Sequence, residues 1–336
     1  MTNIIYGDTS GTLFCEQVGG DQTLIGPSAT SIYETVVTQI YGDAQAMQDF
    51  ARGGNDFIIG GSATNLSEQI YGDAYVMSGL SQGGNDSIFG GRTHGYNHPV
   101  VYGDAFEMHD NAKAGGDWIV GNDANVYGDA FTMDGGTIGG NDCIMGSSTD
   151  TSLYGDASAL KDHAQGGNDL IWVTAGTSLV HIYGDGALSG FARGGNDRII
   201  GPDDSASCFI RGDGRMSDNA VGGDDVIVAG AHSNNQIWGD GERTGSDTVG
   251  GSDTFVFAPG IAQNRIMDFE QGKDHIDLTA FAAQGVHDLG DLNIRSGNIT
   301  LPGGTSYTGS LIGFGTDSYI ALVGVEHPAG SDFIFA

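Results

Sequence analysis

The stretch IYGDAQAMQDFARGGNDFIIGG at residues 40–61 is followed at 70–91 by IYGDAYVMSGLSQGGNDSIFGG. Nothing else constrains the chain as much, because self-similarity at an interval of 20–50 residues is the mark of stacked repeats. The Y-G-D phrase starts at Tyr6, Tyr41, Tyr71, Tyr102, Tyr127, Tyr154 and Tyr183, and worn copies start at Arg211 and Trp238. Every copy is preceded by an apolar residue: Ile5, Ile40, Ile70, Val101, Val126, Leu153, Ile182, Ile210 and Ile237. A second phrase, GGND or a near relative, is followed two residues after its aspartate by Ile58, Ile88, Ile119, Ile144, Ile171, Ile199, Ile227 and Phe255.

The apolar runs are two to four residues long and bounded by glycine, which is strand length and too short for helices. A coil with two such strands closes no core alone, so coils must stack, each strand pairing in parallel with its equivalents about 4.8 Å away. The spacing between phrases varies from 25 to 35 residues. Segments such as PSATSIYETVVTQ and RTHGYNHPV are therefore expected as loops outside the stack. After Gly251 the repetition fades, and residues 258–336 are expected to cap a repeat domain spanning 1–257, since an open stack leaves edges that invite pairing.

Forty-three acidic residues against 12 Lys and Arg give a formal charge of −31. That charge argues against nucleic acid and anionic membrane surfaces as partners and favours hard cations. No run has transmembrane length. The N-terminus has neither a basic nor an apolar leader segment, so no cleavable signal is expected there. Cys15, Cys143 and Cys208 are too scattered for a disulfide framework and are expected as isolated thiols.

ARGGNDFII, SQGGNDSIF, TIGGNDCIM, AQGGNDLIW and ARGGNDRII resemble the nonapeptide of the RTX, or haemolysin-type, calcium-binding repeats, GGxGxDxUx with U a large apolar residue. The tail, with DTFVF, RIMDFEQGKDHIDLTAF and a final DFIFA, is similar to the C-terminal part of serralysin-type RTX proteins. The resemblance implies an all-β fold: a right-handed parallel β-roll or β-helix of about nine coils with one enlarged turn, plus a C-terminal β cap. It also implies Ca²⁺ as cofactor, export through a type I secretion apparatus, an extracellular location and folding on meeting calcium outside the cell. Two departures stand out. About ten residues, AQAMQDFARG in the second coil, interrupt the family's GDAGND run. The opposite turn has mostly lost Gly and Asp, so calcium is expected chiefly along one edge.

By that resemblance the ligands are carbonyls and carboxylates of successive GGND turns: Gly54, Asp56, Gly84, Asp86, Asp117, Gly140, Asp142, Gly167, Asp169, Gly195, Asp197, Gly223, Asp225 and Asp253, with Gln22 at the first place. Oxygen ligands suit a hard cation, and aspartate reaches without unfolding the turn. A second column, Asp8, Asp43, Asp73, Asp104, Asp129, Asp156, Asp185, Asp213 and Asp240, could join them or merely form Asx turns. Two carboxylates about 5 Å apart repel by roughly 1 kcal/mol in water and roughly 3 kcal/mol at an effective dielectric near 20. Summed along a column, this rivals a domain's net stability of about 5–15 kcal/mol, so a calcium-free stack is expected to be marginal or unfolded.

Three functional readings stay open. The chain could be a secreted structural, adhesive or binding protein built on calcium. It could be a calcium-dependent lyase, hydrolase or epimerase at the inserted-turn face, where His109, Asp110, Lys113 and His163, near His94 and His98, offer acid and base types. The tyrosine column, expected to point outward, could be a flat platform binding extracellular polysaccharide. A column of Met47, Met77, Met108, Met133, Leu160, Leu188 and Met216 is expected as an apolar wall of the enlarged turn.

Overall fold

The computed structural model describes all residues except 1, 32, 94–97, 123, 148–151, 175–179, 204–206, 301–305 and 316. It is an all-β, parallel β-solenoid with three long faces. The tyrosine sheet begins with Thr2–Tyr6, Thr35–Tyr41, Asn65–Tyr71 and Val100–Tyr102. The isoleucine sheet begins with Thr23–Ile25, Phe57–Ile59 and Ser87–Phe89. Equivalent residues pair in register: Ile40 with Ile70, Tyr41 with Tyr71, Ile58 with Ile88 and Ile88 with Ile119.

The interrupting segment forms the third face, a methionine sheet of seven strands from Thr9–Leu13 to Ala187–Leu188. Seven coils are therefore complete. The two worn phrases keep this side only as single bridges at Met216 and Arg243. Their phrases read RGDG and WGDG, and glycine supports a strand less well than the alanine that follows Asp in most other copies.

The chain thus builds two cores. Ile40, Ile58, Ile70, Ile88 and their successors fill the space between the tyrosine and isoleucine sheets. Met47, Met77, Met108 and Met133 fill a separate core with Ala44, Ala51, Ala74 and Ala112, and all eight are fully buried. Burying such a side chain contributes about 1.5–3 kcal/mol, which makes the excursion a packed layer of its own.

Two expectations are corrected. The last five residues of PSATSIYETVVTQ are strand, because the β-branched run of Thr35–Tyr41 pairs over seven residues with Asn65–Tyr71 and buries Val36 beside Leu66. The tyrosine column is open only in part: Tyr41, Tyr71 and Tyr102 are buried, and Tyr6, Tyr127, Tyr154 and Tyr183 are half-buried. Their rings stack at 4.6–5.1 Å and 4–12° along the column, so each face covers a neighbour's face. Tyr75, Phe106 and Phe131 close over them edge-on from the methionine sheet.

Parallel pairing continues past residue 257. Gln263–Ile266 and His275–Asp277 extend the two main sheets, Tyr319–Val323 and Phe333–Ile334 extend them again, and antiparallel strands Ser306–Gly313 and Asn293–Thr300 close the end. Cys15 is exposed, Cys143 half-buried and Cys208 buried, all as free thiols.

Candidate metal centre

Between the two cores the chain passes through a narrow neck, leaving the main coil at the Y-G-D phrase and returning at GGND. Both aspartate columns line this neck. In the second coil the Asp43 carboxylate reaches across to accept the N–H of Gly54 at 3.0 Å. The same clasp joins Asp73 to Gly84, Asp104 to Gly115, Asp129 to Gly140, Asp156 to Gly167, Asp185 to Gly195, Asp213 to Gly223 and Asp240 to Gly251. The predicted glycines therefore act here as N–H donors to the second column.

The GGND aspartates reach the other way. Oδ1 of Asp86 accepts the backbone N–H of Asp56 in the preceding coil at 2.7 Å, and Asp117, Asp142, Asp169, Asp197, Asp225 and Asp253 repeat that bond. Oδ2 of Asp86 turns to the backbone of Gly72. A β-carbon there would lie 2.2 Å from that oxygen and 1.6 Å from the carbonyl oxygen of Gly103, so only glycine fits.

Both columns are buried, no aspartate from Asp43 to Asp253 in them being more than 3% exposed. Yet Oδ2 of Asp56, Asp86, Asp117, Asp142, Asp169, Asp197, Asp225 and Asp253 has no hydrogen-bond partner, nor has Oδ2 of Asp104, Asp129, Asp156, Asp185 and Asp213. Acceptors face acceptors. Asp73 Oδ2 and Asp104 Oδ1 both lie within 2.6 Å of where a β-carbon on Gly83 would be. Buried carboxylates without partners are costly unless a proton or a cation compensates them. Burial, reinforced by like charge, pushes the column upward: Asp56 to about 7, Asp43 and Asp213 to about 8, and Asp86, Asp142 and Asp185 well above the usual carboxylate range.

The donor set has the composition a hard cation takes, carboxylate and carbonyl oxygens only. Among the described residues no three acidic, His or Cys side chains converge on one point. Neighbouring coils bring carboxylate and glycine carbonyl oxygens close together, as Asp86 Oδ2 and the Gly103 carbonyl oxygen do beside Gly72. A neighbouring column sharpens the chemistry. Exposed Asn55, Asn85, Asn141, Asn168 and Asn196 also bond backbone N–H groups of adjacent coils through Oδ1, at 2.7–2.8 Å. An amide suffices for that bond, so the charge of the buried aspartates has some other use.

The four catalytic candidates do not come together. His109 contacts Asp134 at 2.9 Å and Glu107 at 3.4 Å; burial lowers its pKa, but the two acids outweigh burial and raise it overall. Asp110 sits in a left-handed turn with φ 63° and accepts the N–H of Gly79 at 3.0 Å. Lys113 is exposed, its backbone bridging Gln82 and Ile138. His163 stacks on Phe191. His94 lies outside the described residues.

Sequence reasoning missed Asp274, which ends the GGND column by accepting the N–H of Asp253 at 3.0 Å. Its signal was present, since DHI repeats the Asp-x-Ile spacing. It also missed Glu68, a buried acid in strand Asn65–Tyr71 that accepts the N–H of Gly61 at 2.8 Å, and the ion pairs of Arg243 and Lys273 at the end of the neck. No family model matches the chain, and neither a curated protein nor a solved structure matches it.

Proposed function

We propose that this chain is a calcium-stabilised solenoid with a structural or adhesive role outside the cell, folding when calcium enters the neck. The observation that carries the reading is the double row of buried carboxylates whose Oδ2 atoms lack partners. Each complete coil contributes two aspartates, so one divalent ion per coil step balances the charge. Calcium, which accepts six to eight oxygen ligands in flexible geometry, suits a site made of carboxylates and carbonyls better than magnesium, which demands a rigid octahedron. Because the ligands meet only when coils stack, binding and folding are one equilibrium. Export by a type I apparatus as a loose chain, with ordering in external calcium, follows from that coupling and from the tail's likeness to serralysin-type ends.

The test is far-UV circular dichroism of chelated protein titrated with calcium, beside equilibrium dialysis that counts the bound ions. A cooperative gain of β signal with several calcium ions per chain, absent with magnesium or potassium at the same ionic strength, is the expected result. A chelated chain already fully folded, with no calcium retained, refutes the proposal.

A further inference from the structure

We infer that the cation row has a built-in end: in the last coil the Arg243 guanidinium supplies the positive charge that a bound cation supplies between successive aspartates of the column running from Asp43 to Asp240. This column is then a ligand column in its own right. The inference rests on the proposal that the neck holds cations.

Its basis is a substitution of nitrogen for oxygen at one step of the stack. A β-carbon on Gly222 would lie 2.4 Å from both Asp213 Oδ2 and Asp240 Oδ1, an acid oxygen from each of two coils. One coil later, a β-carbon on Gly250 would lie 2.1 Å from Asp240 Oδ2 and 2.6 Å from Nη2 of Arg243. The cation nitrogen stands where the next aspartate's oxygen stands elsewhere, and Nη2 bonds Asp240 Oδ2 at 2.7 Å. Asp213 Oδ2 has no partner; Asp240 Oδ2 has one. Among the described residues, the ion pair that touches either column is that of Asp240 with Arg243.

Beyond Asp240 the column does not repeat: Ile237 pairs with Ile266, and the Asp268 carboxylate that follows accepts the N–H of Gly239 at 2.8 Å and that of Gly241 at 3.1 Å. Asp240 and Asp268 thus bring two carboxylates to this step, which without Arg243 would be open to a divalent ion. A guanidinium, charged at every accessible pH, fills the step permanently with a single positive charge. Glu270 holds the other arm of Arg243 and also pairs with Lys273, which donates to the Gly250 carbonyl. Arg243 also occupies the register of Leu188 and Met216 in the methionine core. Earlier coils bury an apolar side chain at this place, and the last coil turns a cation from it toward Asp240.

Calcium is counted by mass spectrometry on full-length protein after dialysis, with circular dichroism confirming the fold of each variant. Arg243→Met restores the residue this register holds in most coils, and Arg243→Gln serves if the methionine variant does not fold. Either is expected to retain one calcium more than wild type and to need more calcium for half-folding. Asp156→Asn, or Asp213→Asn as the second choice, is expected to lose at least one ion, while Asp162→Asn on the outer turn loses none. An unchanged count in the folded Arg243 variant, or in the folded Asp156 variant, overturns the inference while leaving a calcium-loaded wild type in place. A wild type that retains no calcium overturns both.

Discussion

Two aspartate columns of the same stack obey opposite rules. In the neck, Asp73, Asp104, Asp129, Asp156, Asp185 and Asp213 occur in every consecutive coil, fully buried. At the tip of the methionine sheet the left-handed turn position reads Asp49, Gly79, Asp110, Gly135, Asp162, Gly190 and Asp218, acid alternating with glycine, and its aspartates are exposed. Either residue type tolerates this backbone, glycine freely and aspartate as one of the better L residues. The alternation keeps like charges two coils apart, roughly 10 Å, about one Debye length at physiological salt. Where water is the only compensation, the stack does not place acid on acid. In the neck it does so at every step, with far less water to screen the charge, and the proposed cation would account for the difference.

The comparison breaks most visibly in calcium-free protein. Folded-state pKa values of the neck aspartates lie above the usual carboxylate value, as with Asp56 near 7 and Asp43 and Asp213 near 8. Their protonated forms therefore stabilise the fold below about pH 4, and that stability is lost as pH rises through 7 to 8. Dialysed, calcium-free chain should melt at a higher temperature at pH 5 than at pH 8, and calcium at pH 8 should restore the loss. A flat pH profile without calcium would mean that the columns carry no uncompensated charge.

A smaller effect separates the two columns directly. Asp142→Asn should destabilise calcium-loaded protein by about 3 kcal/mol, the usual cost of breaking a buried charge pair. In calcium-free protein the same change should stabilise, because it removes repulsion. Asp162→Asn at the tip should do neither in denaturant titrations. The smallest effect tests the alternation itself. Gly135→Asp and Gly135→Asn both bring a side chain against the Asp110 carbonyl, so their difference isolates charge. The aspartate variant should be less stable than the asparagine variant by about 1 kcal/mol, shrinking at high salt. Equal melting temperatures would remove electrostatics as the reason for the alternation.

Much of this was legible in the residues. Period and phrase gave parallel stacking, two apolar ladders, two aspartate columns and a methionine column, because identical residues in a solenoid can only fall into register. The misses share a cause. The tyrosines next to inward isoleucines do face away from the main core, but alternation within a strand cannot foresee a third sheet folding Tyr75 and Phe106 over them. The strand at Thr35–Tyr41 was hidden by its place in an insertion, although its alternating β-branched residues carried the signal. His109, Asp110, Lys113 and His163 looked like one reactive patch because they are close along the chain or between phrases. In space, Asp110 supplies a turn and Lys113 points to solvent, and neither meets His163.

By itself the sequence determined the repeat, the parallel register and the identity of the residues in the aspartate columns except the terminal Asp274, since these follow from spacing and from the few conformations glycine and β-branched residues favour. Only the tertiary structure decided that those aspartates are buried. The excursion AQAMQDFARG folds back as a second core, closes the turn that would otherwise open to water, and so converts a row of surface carboxylates into an acidic neck. Burial is a property of what packs against a residue, and here the packing partner is a layer whose own closure depends on every neighbouring coil.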